Sequence, residues 1–269
     1  MNQPVDRLCG HLTSPAAAAS ITRDSILCLP VGSFEQHGPH LPLSTDTIIA
    51  QSFAVALAEE VANQHDVWVL PPVPLGLSRE HRWAPGTASL QLDTFATLIT
   101  QFAAQYARST GARRLVITNG HGGNRGALDA LLYELEDDLG IAACALHPLA
   151  LAGAGKEAPT PEIHAGFVET SLMLHLAPRL VQFTDIADGP ESDEQASAVR
   201  ESVLARGASW PWRSDHCPLA RDGVIGDPRG ASSELGQTIM ADAIRAAIEH
   251  LDRLADVEPG STGADRRCC

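Results

Sequence analysis

Glu35, His37 and Asp46 fall within twelve residues of one another near the start of the chain. His121 follows in Asn119-Gly120-His121-Gly122-Gly123-Asn124, and Glu169 in His164-Ala165-Gly166-Phe167-Val168-Glu169-Thr170-Ser171. Two imidazoles and three carboxylates form a donor set suited to two divalent metals. Zinc accepts imidazole nitrogen and carboxylate oxygen, and manganese accepts the same set with more preference for oxygen. Two such ions about 3.5–4 Å apart can share a bridging carboxylate and a bridging hydroxide, which is a nucleophile at neutral pH. One ion also polarises a carbonyl under attack, so the chemistry expected is hydrolysis.

Each fragment alone fits a plainer role. Glu-x-His also suits a polar loop, and Asp46 an ordinary helix cap. His121 also suits an exposed strand-to-helix turn, and Glu169 a carboxylate placed by the helix dipole. The glycines around His121 free the backbone for tight turns and close ligand approach. The combination carries the reading.

The elements that must position these donors alternate along the chain. Ile26 to Val31 is a short apolar run before Gly32 and reads as a buried strand. Thr47 to Val61 has apolar residues at helical spacing, with Asp46 at its N-terminal end. Val67 to Leu70 reads as a second strand, Arg114 to Thr118 as a third and Ile141 to Leu146 as a fourth. Between them, helices are expected from Thr94 to about Tyr106, with Asp93 as N-cap, and from Arg125 to Asp138, ending at Gly140. Phe167 to Leu176 and Ser232 to Leu254 read as later helices. This order implies a three-layer α/β fold, a mainly parallel sheet with helices on both faces. In such sheets sites gather at the carboxyl ends of strands. Glu35, His37 and His121 all follow predicted strand ends. If the chain is extended at Glu35 and His37, both side chains share a face.

The chain has 269 residues, of which 44% are apolar, enough for a sizeable core. Its formal net charge of −14 opposes binding to nucleic acid or to an anionic membrane surface. No apolar run approaches the roughly 20 residues of a membrane span. Residues 1–24 lack the pattern of a signal peptide, so a cytoplasmic protein is expected. Cys9, Cys28, Cys144 and Cys217 are scattered without metal-type spacing. Cys268 and Cys269 end a polar stretch that does not fit the prenylation pattern. A single domain is expected over residues 1–257, then a disordered tail over 258–269. The less regular stretch from Gly189 to Gly230 is a candidate lid or oligomer contact. Neither G-x-G-x-x-G after the first strand nor G-x-x-x-x-G-K-[ST] occurs, which opposes a nucleotide-binding module.

The segment Leu29-Pro30-Val31-Gly32-Ser33-Phe34-Glu35-Gln36-His37-Gly38, with Asp46 behind it, resembles the signature of the creatininase (creatinine amidohydrolase) family. The blocks around His121 and from His164 to Ser171 resemble the next two in order. Pro85-Gly86-Thr87 and Gly223-Val224-Ile225-Gly226-Asp227-Pro228 also resemble family segments. The resemblance implies that Glu35 and His121 bind one metal, that His37 and Glu169 bind the other, and that Asp46 bridges them. It implies His164 as proton shuttle; its plainer role is to orient Glu169. Two divalent ions per chain are implied, zinc and/or manganese with iron also admissible. A homohexamer is implied as well.

One departure matters. Creatininase carries a Tyr-Glu pair where this chain has Gly122 and Gly123. The Gly-Gly form resembles other branches, including mycofactocin-precursor peptidases and formamide hydrolases acting on a pyrimidine nucleotide. The first would remove a modified C-terminal dipeptide from a small ribosomal peptide. Ser78-Arg79-Glu80-His81 resembles a Ser-x-Glu-His segment of such branches, which implies Ser78 and His81 beside a small-molecule amide or short peptide substrate. A protein that binds metal or ligand without turnover is the reading from another class.

Overall fold

The computed structural model describes residues 6–153, 158, 161–185, 207, 210–216, 219–258 and 260. Four strands, β1 (Ile26–Val31), β2 (Val67–Val69), β3 (Arg114–Asn119) and β4 (Ala142–Leu146), form one parallel sheet in the order β2-β1-β3-β4. Ile26 lies opposite both Val67 and Arg114, and Arg114 lies opposite Ala142. All strand partners are parallel because each connection passes through a helix on one face of the sheet.

The helices are α1 (Ser14–Ser20), α2 (Thr45–Glu60), α3 (Leu92–Thr110), α4 (Arg125–Asp137), α5 (Pro148–Leu151), α6 (Phe167–Leu176) and α7 (Ser233–Asp256). Alternate strand residues face opposite layers. Ile26, Cys28, Val116 and Leu146 join Phe53 and Leu57 of α2, Leu172 of α6 and Ala243 of α7 in one core cluster. Leu27, Leu29, Leu115 and Ile117 join Phe95 and Ile99 of α3 and Leu128 and Leu131 of α4 in the other. Truncating a fully buried anchor such as Phe53 to Ala should cost about 3–5 kcal/mol.

The three-layer arrangement agrees with the sequence expectation, and α6 has the expected bounds. The differences are local. α2 begins at Thr45, so Asp46 lies inside its first turn and Ser44 is the N-cap. α3 starts earlier than Thr94: its N-cap is Gln91, while Asp93 sits in the first turn and accepts the Thr94 amide at 2.7 Å. A short polar side chain inside the first turn reaches a neighbouring amide as readily as one at the cap position. β4 starts at Ala142, because the Ile141 amide closes the preceding helix end by donating to Leu135 O at 2.9 Å. α7 is capped by the Ser232 hydroxyl, which accepts from Leu235 N at 3.2 Å. Cys28 is buried in β1 and Cys144 lies partly exposed in β4, both as free thiols. No helix among the described residues is long and apolar enough to cross a membrane. Cys217, Cys268, Cys269 and much of the stretch from Gly189 to Gly230 lie outside the described residues.

Candidate metal centre

β1 and β3 end in register, with Val31 opposite Asn119. Gly32 and Gly120 follow them. A Cβ on Gly32 would stand 2.5 Å from Cα and N of Thr47, and one on Gly120 would stand 2.9 Å from the Asp46 carbonyl carbon. Without side chains, both strand ends admit the first turn of α2 against their backbones. That close seat brings Asp46 to the carboxyl edge of the sheet, where Glu35, His37 and His121 emerge.

Asp46 lies between two imidazoles. Its Oδ1 is 3.1 Å from His37 Nε2, and its Oδ2 is 3.2 Å from His121 Nδ1. His121 Nδ1 is also 3.3 Å from Glu35 Oε1. The donor atoms of Glu35, Asp46 and His121 lie within 4.8 Å of one another, as do those of His37, Asp46 and Glu169. Asp46 belongs to both groups. Glu35, His37 and His164 form a third such group.

Backbone groups orient the donors. His37 Nδ1 donates to Glu35 O at 3.1 Å, and His121 Nε2 donates to Leu77 O at 2.9 Å. Each ring then turns its other nitrogen toward the carboxylates, the arrangement a metal ligand needs once that nitrogen has given up its proton. Glu169 Oε2 accepts from Ala165 N at 2.6 Å, across a backbone turn in which Ala165 has φ 54. The Glu162 carboxylate accepts from Phe167 N at 2.6 Å and Val168 N at 2.9 Å, which fixes the start of α6 and hence Glu169.

The donor set fits divalent cations. Both Glu35 carboxylate oxygens and Asp46 Oδ2 are buried without a hydrogen-bond partner among the described residues. Buried carboxylate oxygens that accept no hydrogen bond cost several kcal/mol unless a cation meets them. Imidazole nitrogen with carboxylate oxygen is the set that zinc and manganese accept.

The electrostatics express the same crowding. Burial pushes Asp46 up, but His37 and His121 outweigh it and hold the carboxyl well below its usual range. Burial pushes Glu35 up, and its histidine neighbours, His121 foremost, bring it below normal. Burial pulls His37 down, yet Asp46, then Glu169 and Glu35, raise it to about 9. His121 is raised well above normal against its own burial by Glu35 and Asp46. Burial lifts Glu169 to about 7, with the His37 charge opposing the rise.

His164 sits beside the donors. Its Nδ1 is 3.6 Å from Glu35 Oε1, and its Nε2 donates to Gln36 O at 2.7 Å. Burial and then the His81 and His37 charges hold it well below its usual range. The His81 ring stacks on His164 at 4.0 Å between centroids. Ser78 is fully buried, shares a hydrogen bond with the Ser33 hydroxyl, and supports the loop without lining the cavity.

Two residues inside the quoted motifs had no role assigned from the sequence. Gln36 accepts from Gly38 N at 2.8 Å, and its amide nitrogen donates to Gly223 O at 3.0 Å and His81 Nδ1 at 2.9 Å. Lying between Glu35 and His37, it ties three segments together. Glu80 places Oε1 3.6 Å from His121 Nε2. The absence of a side chain on Gly123 leaves room for it, since a Cβ there would stand 2.9 Å from that oxygen.

Two cavities of about 340 and 710 Å³ open above the donors, and His121, His164 and Glu169 line both. The smaller runs toward His147 and Glu162, the larger toward Arg79, Trp210 and Trp212.

Residues 10–251 match the family model described as "Creatininase: Creatinine amidohydrolase". The chain is 35% identical over 261 residues to the "Mycofactocin precursor peptide peptidase" of Mycobacterium ulcerans, covering 93% of this chain and 92% of that protein. It is 29% identical to the "Creatinine amidohydrolase" of Pseudomonas putida, covering 88% and 95% of the two chains. A solved structure titled "Creatininase Mn" superposes with a TM-score of 0.72 at 26% identity, over 93% of this chain and 99% of the other. The family match and these relatives mark the chain as a hydrolase of amide C–N bonds. The chain belongs to the creatininase family.

Proposed function

We propose that this chain is a dinuclear metal-dependent hydrolase that cuts an amide bond in a short peptide; its Mycobacterium ulcerans relative is named as a peptidase of a precursor peptide. Asp46, shared by two donor groups with three buried carboxylate oxygens that accept no hydrogen bond, carries the reading. Glu35 and His121 would hold one ion, His37 and Glu169 the other, and Asp46 would bridge. Bound there, the ions would lower the pKa of a water and polarise the scissile carbonyl.

The remaining steps belong to the chain. His164 is neutral at neutral pH because burial and neighbouring histidines oppose its protonation. Its Nε2 proton is engaged by Gln36 O, which leaves Nδ1 to take a proton on the donor side. His164 can then pass that proton to the leaving nitrogen. His81, stacked on His164, limits the tilt of that ring. The two cavities on either side of these groups suit a substrate that extends both ways from the scissile bond, which favours a peptide over a compact ring.

Elemental analysis tests the centre. About two metals per wild-type chain and a marked loss in Asp46→Ala are expected. One metal or none, after zinc and manganese have both been offered, rejects the reading and favours binding without turnover. Cleavage of a mycofactocin precursor peptide, abolished by chelation and restored by metal, tests the substrate.

A further inference from the structure

We propose that the larger cavity seats a carboxylate of the substrate on Arg79 and Arg125, with the attached apolar group lying on Trp210 and Trp212. This rests on the hydrolase reading and narrows its substrate. The cavity is lined by groups of both charges. The carboxylates of Asp46, Glu80 and Glu169 line it, and so do Arg79, Arg125 and Arg213. Arginines at this one opening stand out in a chain whose net charge is −14.

The three are not equivalent. Arg213 is committed to Asp215, with contacts of 3.1 and 3.3 Å. The side chains of Arg79 and Arg125 make no hydrogen bond or ion pair among the described residues, and both are exposed. An uncommitted guanidinium offers paired N–H donors that match a carboxylate. Arg125 is also the first residue of α4 and lines both cavities, so it stands where they join. The positive end of that helix adds to its field. Trp210 is 70% exposed, a large apolar face open to solvent at the same rim. Trp212 sits deeper and meets the His81 ring edge-on at 5.7 Å. A ligand with an aromatic or aliphatic body and a carboxylate would meet the indole faces and the free guanidinium groups together.

Calorimetry on zinc-loaded protein tests this with N-acetyl-L-tyrosine and N-acetyl-L-tyrosinamide, which differ at one end only. The acid should bind at least about tenfold tighter than the amide. The double variant Arg79→Gln/Arg125→Gln should abolish that preference and keep its metal content. Equal binding of acid and amide, or no binding of the acid, overturns the proposal. So does a preference that survives in the double variant, since the metals would then hold the carboxylate. Phenyl phosphate binding more tightly than the acid would reassign the seat to phosphate. Turnover does not enter this readout, so its failure is separate from failure of the peptidase reading.

Discussion

Gly120 lies against the backbone of Asp46, so close that a Cβ added there would stand 2.9 Å from the Asp46 carbonyl carbon and nearer still to its oxygen. The Gly120 amide donates to Val31 O at 2.9 Å, so the glycine cannot back away without breaking the sheet edge. Gly120→Ala should therefore destabilise the protein by about 3 kcal/mol and lower its metal content. Urea unfolding and elemental analysis would measure both; wild-type values for each would refute the packing argument.

Metal binding should release protons. His37 has a folded pKa raised to about 9, and His121 is raised as well, so without metal both hold protons at pH 7.5. A ligand imidazole must be neutral, so both protons must leave. Calorimetric titration of zinc in buffers of different ionisation heat should find on the order of two protons released per chain. Release of none would mean that these rings are not the ligands.

The same shift sets a stability trend in metal-free protein. A raised histidine pKa stabilises the fold fully below the unfolded value of about 6.5, and this is lost as pH rises through about 9. Chelated protein should thus lose Tm between pH 6.5 and 9, and the metal-loaded protein should not. Parallel thermal melts across that window would decide.

His40 works in the opposite direction. It is fully buried and lowered to about 4, first by burial and then by the His37 charge. A depressed histidine pKa stabilises the fold above about 6.5, and the contribution fades as pH falls toward 4. Wild-type Tm should drop by about 5 °C between pH 7 and 5. His40→Gln should show a shallower drop; an identical slope would sink the assignment.

His164→Gln should cut kcat by about 10²- to 10⁴-fold while leaving two metals bound. Loss of metal in that variant would instead make His164 a ligand, consistent with its place beside Glu35 and His37.

The layers were legible because their residues obey simple periods. Ile26 to Val31 is apolar throughout and ends at Gly32, and Phe167 to Leu176 runs between Gly166 and Pro178. Donor types were legible too, since a histidine between glycines and a Glu-x-His pair are uncommon as packing residues. Gln36 was not, because an uncharged amide suits many plain roles and shows this one only through Gly223, distant in the chain. Glu80 stood in a quoted motif, but its approach to His121 was hidden, because it depends on the missing side chain of Gly123. The sheet order could not be read either, since it rests on contacts between strands far apart in sequence.

His164 and Ile225 exchange backbone hydrogen bonds, His164 N to Ile225 O at 3.2 Å and Ile225 N to His164 O at 2.9 Å. Two residues earlier on the same turn, Gly223 O holds the Gln36 amide. The turn therefore grips two arms of the site with one hand. Substitutions in it, such as at Val224, would alter the proton carrier and the Glu35-Gln36-His37 loop in concert, so evolution cannot retune either one there without disturbing the other.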